Sequence, residues 1–245
     1  MHCNEGMAST NMIPIRTESA WRGTADCLKC GMHKLGLFAD LTADDLKAFR
    51  APIDVMAYAQ GEVLYTEGSP VQGIYCVSSG VVKLVRSTAD GRQRIVRVLR
   101  AGDVIGLEAL AARQYDSEAI ALSPVSVCRI SVEVIESTLH NSNRLHAQLM
   151  SKWHQTLKDV DDWLADLNFG TARQRVCHLI LKMRSPADAA ISLLFSRDDM
   201  GAMLDLKLET VSREVSRLVK EGVIEPLDKQ GRTYRILKLD VLTAS

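Results

Sequence analysis

Residues 196–222, SRDDMGAMLDLKLETVSREVSRLVKEG, read as two short helices joined by a tight turn. Ser196 with Asp199 three positions on has the spacing of a helix N-cap with an acidic partner. Met200, Met203 and Leu204 then fall on one face, and Asp205-Leu206-Lys207 interrupts the pattern. Val211, Val215, Leu218 and Val219 restore a helical apolar stripe, which Gly222 ends. With that stripe turned inward, Glu209, Ser212, Arg213, Ser216, Arg217 and Lys220 form the outward face, preceded by Lys207. A short exposed helix with Arg, Ser and Glu near its start has the size and donor–acceptor set that a DNA major groove accepts. The competing reading is an ordinary solvated helix face, and the next segment weighs against it.

In residues 222–237, GVIEPLDKQGRTYRIL, two β-prone runs flank Asp228-Lys-Gln-Gly231-Arg232, the pattern of a hairpin with glycine in the turn. A helix–turn–helix followed by a hairpin is a winged helix. Lys229, Arg232 and Arg235 on the hairpin are expected to meet phosphates, contacts that position a protein without carrying sequence information.

The chain has 245 residues and a formal charge of zero, so no overall basic character points to nucleic acid. The charge is unevenly divided: from Asn168 onward there are 13 Lys+Arg against 10 Asp+Glu, a net +3, which leaves −3 for the rest. A neutral protein still binds DNA where its basic groups share one surface. No apolar run approaches a membrane span and the N-terminus has no apolar signal core, so a cytoplasmic protein without a membrane partner is expected. In that compartment the six cysteines are read as thiols, redox centres or metal ligands before structural disulfides.

The expected fold class is α+β. Residues 1–25 lack periodicity and are read as a flexible lead. Residues 26–131 hold Cys27-Leu-Lys-Cys30 and then a run of short β-prone segments: 53–57, 63–65, 74–77, 81–85, 95–99, 104–105, 119–121 and 125–130. Their separators are Gly61, Gly68-Ser69-Pro70, Ser79-Gly80, Asp90-Gly91 and Gly102-Asp103, the spacing of a jelly-roll barrel. Residues 132–167 turn helical. Leu145, Leu149, Trp153, Thr156, Val160, Trp163 and Leu167 step by threes and fours, and their surplus apolar face predicts pairing with a second copy about a two-fold axis. Residues 168–245 form the winged helix-turn-helix unit.

This order of barrel, long helix and winged helix resembles the Crp/Fnr superfamily of bacterial transcription regulators. The resemblance runs from Cys27 to Leu239. Gly102-Asp103-Val-Ile-Gly106 is similar to the family's barrel turn, and Tyr75 to Lys83 to its strand–Gly–strand phrase. Thr171-Ala-Arg-Gln-Arg175-Val is similar to the family's hinge into the DNA-binding domain. Glu209-Thr-Val-Ser212-Arg213 matches its reading motif, with Leu208 where the cyclic-AMP receptor branch has an Arg. The resemblance to the fumarate-nitrate-reduction branch implies a cyclic-nucleotide-binding-like barrel, a homodimer on a palindromic duplex of TTGAT-type half-sites, and contact with RNA polymerase. On that reading Arg213 donates to a guanine edge, Glu209 accepts from a cytosine amine and Ser212 lies against the next base.

Three signals compete for the barrel. Cyclic AMP is disfavoured, because the family's phosphate-binding Arg is replaced by Asp116, which repels phosphate, with Arg113 as a remote substitute. A 4Fe–4S cluster is implied by the resemblance through Cys27, Cys30 and the barrel cysteine Cys128. The third N-terminal cysteine of that pattern is Gly36 here, so a fourth ligand has to come from Cys3 or His33, while Cys76 and Cys177 read as small core residues. The alternative is a cluster-free regulator that answers to thiol redox state, haem, nitric oxide or a small effector. An enzyme is not expected: a metal-dependent barrel enzyme needs clustered histidines, and none falls between His33 and His140.

Overall fold

The computed structural model describes residues 53–88, 91–139 and 143–244. Cys3, Cys27, Cys30 and His33 lie outside them.

Eight strands form the N-terminal unit: β1 (Asp54–Tyr58), β2 (Val63–Tyr65), β3 (Ile74–Ser79), β4 (Val81–Ser87), β5 (Gln93–Arg100), β6 (Val104–Ile105), β7 (Glu118–Ala121) and β8 (Val125–Ile130). They pair into two antiparallel sheets, β1-β8-β3-β6 and β2-β7-β4-β5. Every β-prone run anticipated in the sequence is a strand. The separators work as sterics require: a Cβ on Gly80, at φ +83°, would stand 2.2 Å from the Pro124 carbonyl oxygen, so only glycine passes there.

Tyrosines occupy much of the space between the sheets. Tyr65 and Tyr115 stack with ring centroids 3.8 Å apart, and Tyr75 lies 5.8 Å from Tyr65. The Tyr115 hydroxyl donates to the Gly73 carbonyl at 2.7 Å and accepts from the backbone N–H groups of Gln72 and Gly73 at 3.1 and 3.2 Å. One phenol therefore satisfies three backbone groups of the loop before β3. Burial holds this phenol, and those of Tyr65 and Tyr75, above the ordinary tyrosine range.

In the helical stretch expected at 132–167 the described residues form α1 (Val132–Leu139) and α2 (Asn143–Asn168). The expected seam is also redistributed. Leu145, Leu149 and Leu167 are buried within their own chain, packed by the barrel or the C-terminal unit. Val160 of the expected seam is exposed, joined by Met150, Leu157 and Leu164.

The C-terminal unit follows: α3 (Ala172–Lys182), β9 (Ile191–Leu193), α4 (Arg197–Leu204), α5 (Leu208–Lys220), the hairpin β10 (Ile224–Pro226) with β11 (Thr233–Ile236), and α6 (Leu239–Thr243). Thr171 and Gln174 close a reciprocal capping box at the start of α3. Strand β9, not anticipated, pairs with β11 to complete a three-stranded sheet, β10-β11-β9.

The two units share a core. Val85 of β4 and Ile95 of β5 are buried in the cluster formed by Leu167, Val176, Met200, Val211 and Leu218. Polar links surround this seam: Lys83 to Asp199, Arg94 to Asp205 at 2.9 Å, and the Arg100 guanidinium to the carbonyls of Lys182 and Arg184 at 2.6 and 3.1 Å. Burial lowers the pKa of Arg100 from its ordinary value. Removing the hydroxyl that ties the loop before β3, as in Tyr115→Phe, is expected to cost about 1–3 kcal/mol, read as a lower urea midpoint with an unchanged slope.

Candidate nucleic-acid interface

The reading helix is set by its neighbours. The Ser196 hydroxyl accepts from the Asp199 N–H at 3.0 Å and starts α4. At the far end Asp205 adopts a left-handed conformation, φ 54° and ψ 47°, and the Leu206 N–H donates to the Gly201 carbonyl at 3.1 Å. A Cβ on Gly201 would lie 2.7 Å from the Leu206 carbonyl oxygen, so the turn closes only because position 201 has no side chain. Lys207 occupies the N-cap of α5 without a side-chain cap bond. Helix α5 ends in a Schellman motif: the Val223 N–H donates to the Leu218 carbonyl at 2.9 Å and the Gly222 N–H to Val219 at 3.0 Å.

Val211, Val215 and Leu218 are buried along one side of α5. Glu209, Arg213, Ser216 and Arg217 are exposed on the other, Lys207 is exposed just before them, and Ser212 is half-buried. The predicted reading residues thus share one solvent-facing surface. The Arg213 side chain is 70% exposed, which leaves its guanidinium open to a base edge.

The hairpin divides its basic residues. The Asp228 carboxylate accepts from the backbone N–H groups of Arg232 and Thr233 and fixes the turn; these hydrogen bonds hold it below the usual carboxylate range. Lys229 and Arg235 are exposed. Arg232 is half-buried and lines a cleft with Gln60, Leu122 and Phe195.

One residue escaped the sequence reading. Glu214 lies on the inner side of α5, one turn from Val211 and Leu218, and is 7% exposed. Its Oε1 is 3.8 Å from Arg213 Nε and its Oε2 is 3.9 Å from Arg217 Nη1, and among the described residues Oε2 accepts no hydrogen bond. The signal was present: an acid at position 214 interrupts the stripe 211, 215, 218. Close by, Arg173 grips Glu221 through two hydrogen bonds of 3.1 and 2.6 Å, joining the start of α3 to the end of α5. That pairing raises the Arg173 pKa and lowers that of Glu221.

Of the predicted metal ligands, Cys128 is described. It is buried in β8, and among the described residues no group of three or more His, Cys, Asp or Glu is arranged to hold a metal ion. His146 and His154 are exposed on α2, and His178 Nδ1 lies 2.8 Å from the Asp166 carbonyl.

Gly201→Ala is expected to displace the turn, lower stability by about 1–3 kcal/mol and weaken binding to any duplex that the wild type selects, as read by denaturation and fluorescence anisotropy. Glu214→Leu removes a buried acid with an unsatisfied oxygen and is expected to raise stability by about 1 kcal/mol. A lower urea midpoint for that variant would contradict this view of Glu214.

Residues 55–142 match the cyclic nucleotide-binding domain family and residues 174–245 the Crp-like helix-turn-helix domain family. The chain is 26% identical over 220 residues to the transcriptional activator protein anr of Pseudomonas aeruginosa, an alignment that covers 87% of this chain and 89% of that protein. It is 26% identical over 225 residues to the fumarate and nitrate reduction regulatory protein of Salmonella typhi, covering 89% of each. Among solved structures, FixK2 from Bradyrhizobium japonicum superposes with a TM-score of 0.70 at 27% identity, covering 78% of this chain and 96% of that one. Barrel, helix-turn-helix and these relatives agree: the chain belongs to the Crp/Fnr family of transcription regulators.

Proposed function

We propose that this regulator acts as a cytoplasmic homodimer that reads an inverted repeat of TTGAT-type half-sites and adjusts its activity to oxygen or redox state. The observation that carries the DNA reading is the outward face of α5, where Glu209, Ser212 and Arg213 stand on a helix whose opposite side is buried. Arg213 donates two hydrogen bonds to a guanine, Glu209 accepts from a cytosine amine, and Lys207, Arg217 and Lys229 contribute phosphate contacts. Dimerisation is supported by Met150, Leu157 and Leu164, exposed at seven-residue intervals on α2 with Val160 between them, the repeat of a two-helix seam. Two copies held there present two reading helices to successive major grooves. Contact with RNA polymerase is part of the same reading and rests on the family alone.

The redox reading rests on thiolates. A 4Fe–4S cluster takes four, and Cys27, Cys30 and Cys128 supply three by sequence. The buried position of Cys128 on a rigid strand suits such a ligand. When bound, a cluster supplies an oxygen-labile group; the chain's part is to hold the thiolates and shield them from water. A cyclic nucleotide is disfavoured by the tyrosine stack between the sheets and by Glu108 and Asp116 beside it. Burial raises the Glu108 pKa and the nearby Asp116 charge adds to the rise, while Arg97 opposes it.

Anisotropy with a labelled TTGAT inverted repeat tests the DNA reading. Selective binding over a scrambled duplex is expected, with Arg213→Ala losing about 1–3 kcal/mol and relaxing preference at one base. Equal affinity of the wild type for both duplexes would refute it.

A further inference from the structure

Position 214 belongs to the buried side of α5 by its spacing: an apolar residue there would join Val211, Val215 and Leu218 in one continuous stripe. The chain carries a carboxylate there instead, 7% exposed. Withdrawing a carboxylate from water is costly unless hydrogen bonds or opposite charges replace the lost hydration. Among the described residues no donor hydrogen-bonds to Oε2. What lies within ion-pair reach is positive charge. Arg213 Nε is 3.8 Å from Oε1 and Arg217 Nη1 is 3.9 Å from Oε2, one arginine to each oxygen. Arg173 at the start of α3 also feels this acid: its hydrogen bond to Glu221 raises its pKa most, and the Glu214 charge adds to the rise.

The two arginines of α5 are not held alike. Arg217 stands between two acids, with its Nε 3.7 Å from Glu221 Oε1. Arg213 pairs with Glu214 and, among the described residues, with no other acid. An exposed arginine samples many rotamers, and a base contact has to overcome that freedom. A guanidinium carries its N–H groups on fixed edges. With the Nε edge of Arg213 turned toward the buried carboxylate, the two Nη groups face away from it, and that fork matches the O6 and N7 of a guanine. At 3.8 Å the attraction orients the group without consuming a donor.

We propose that Glu214 is a positioning residue for DNA reading, a buried carboxylate that pre-orients the Arg213 guanidinium toward its base. The proposal rests on the DNA reading above. Glu214 also repels phosphates, which lowers affinity for every duplex irrespective of sequence. Both effects favour selective over unselective binding, and selectivity is a difference between affinities. The stability that the buried acid costs is then exchanged for discrimination.

The test uses the full chain and fluorescence anisotropy on three duplexes: the TTGAT inverted repeat, the same repeat with its guanines replaced, and a scrambled sequence. Wild type, E214Q, E214L, R213A and the double variant E214Q/R213A are compared, with far-UV circular dichroism to establish folding. Glutamine keeps the shape of the side chain and removes its charge, and leucine serves if E214Q does not fold. The charge-free variants are expected to bind the scrambled duplex at least as tightly as wild type. Their discrimination between the repeat and its guanine-replaced form is expected to fall roughly threefold to thirtyfold, the range of coupling between neighbouring side chains. In the R213A background E214Q is expected to change that discrimination no further. Wild-type discrimination in a folded E214Q or E214L overturns the role of Glu214, as does an equal loss of affinity for all three duplexes, the mark of a packing defect. A fall of the same size in the R213A background overturns it too, because the acid would not then act through Arg213. A wild type that binds the repeat no better than the scrambled duplex overturns the DNA reading and this proposal with it.

Discussion

Burial of the apolar side of α5 is the constraint on which the interface depends. Val211, Val215 and Leu218 enter a core built from α3, α4 and the edge of the barrel. Each such side chain contributes about 1.5–3 kcal/mol when withdrawn from water. A rotation of the helix that hid Arg213 would expose these residues, so the orientation of the reading face is a by-product of packing. Gly201 extends the argument to the turn, because the close approach of the Leu206 carbonyl sets where α5 begins. A regulator of this build needs few dedicated contacts to aim its reading helix; it needs a stripe that is buried in one orientation.

The same core explains why barrel and reading unit cannot be described independently. Val85 and Ile95 belong to strands of the barrel, yet they are buried among residues of the C-terminal unit. Packed interiors resist gradual deformation and change between discrete arrangements. A change in β4 or β5 is therefore felt directly at α4, the helix on which α5 leans. Arg100 strengthens the connection, since its guanidinium satisfies carbonyls at the end of α3 and just beyond it.

Much of this was legible in the sequence because its signals are local. The barrel strands are bounded by turn residues, and Gly80 or Gly102 marks a break without reference to distant chain. The amphipathic pattern of α5 is likewise contained in a dozen residues. What escaped is non-local. Strand β9 is three residues long and acquires its identity from pairing with β11. Helix α2 carries apolar residues on two sides, and periodicity alone does not say that Leu145 and Leu149 pack inward while Leu157 and Leu164 face solvent. Glu214 was visible as an interruption of the stripe, yet its burial near two arginines is a tertiary fact.

The ionic links at the seam bear on how salt titrations of this protein are interpreted. Asp199 sits in the first turn of α4, receives the Ser196 hydroxyl and also pairs with Lys83, while Asp205, in the turn leading to α5, pairs with Arg94. Both pairs are partly open to solvent, where added salt screens them. Rising ionic strength thus acts twice, displacing the gain from counterion release at DNA phosphates and loosening the mount of the reading head. The slope of log affinity against log salt is then steeper than the roughly 0.9 per neutralised phosphate that counterion release alone gives, and the excess is a measure of how firmly the barrel holds its reader.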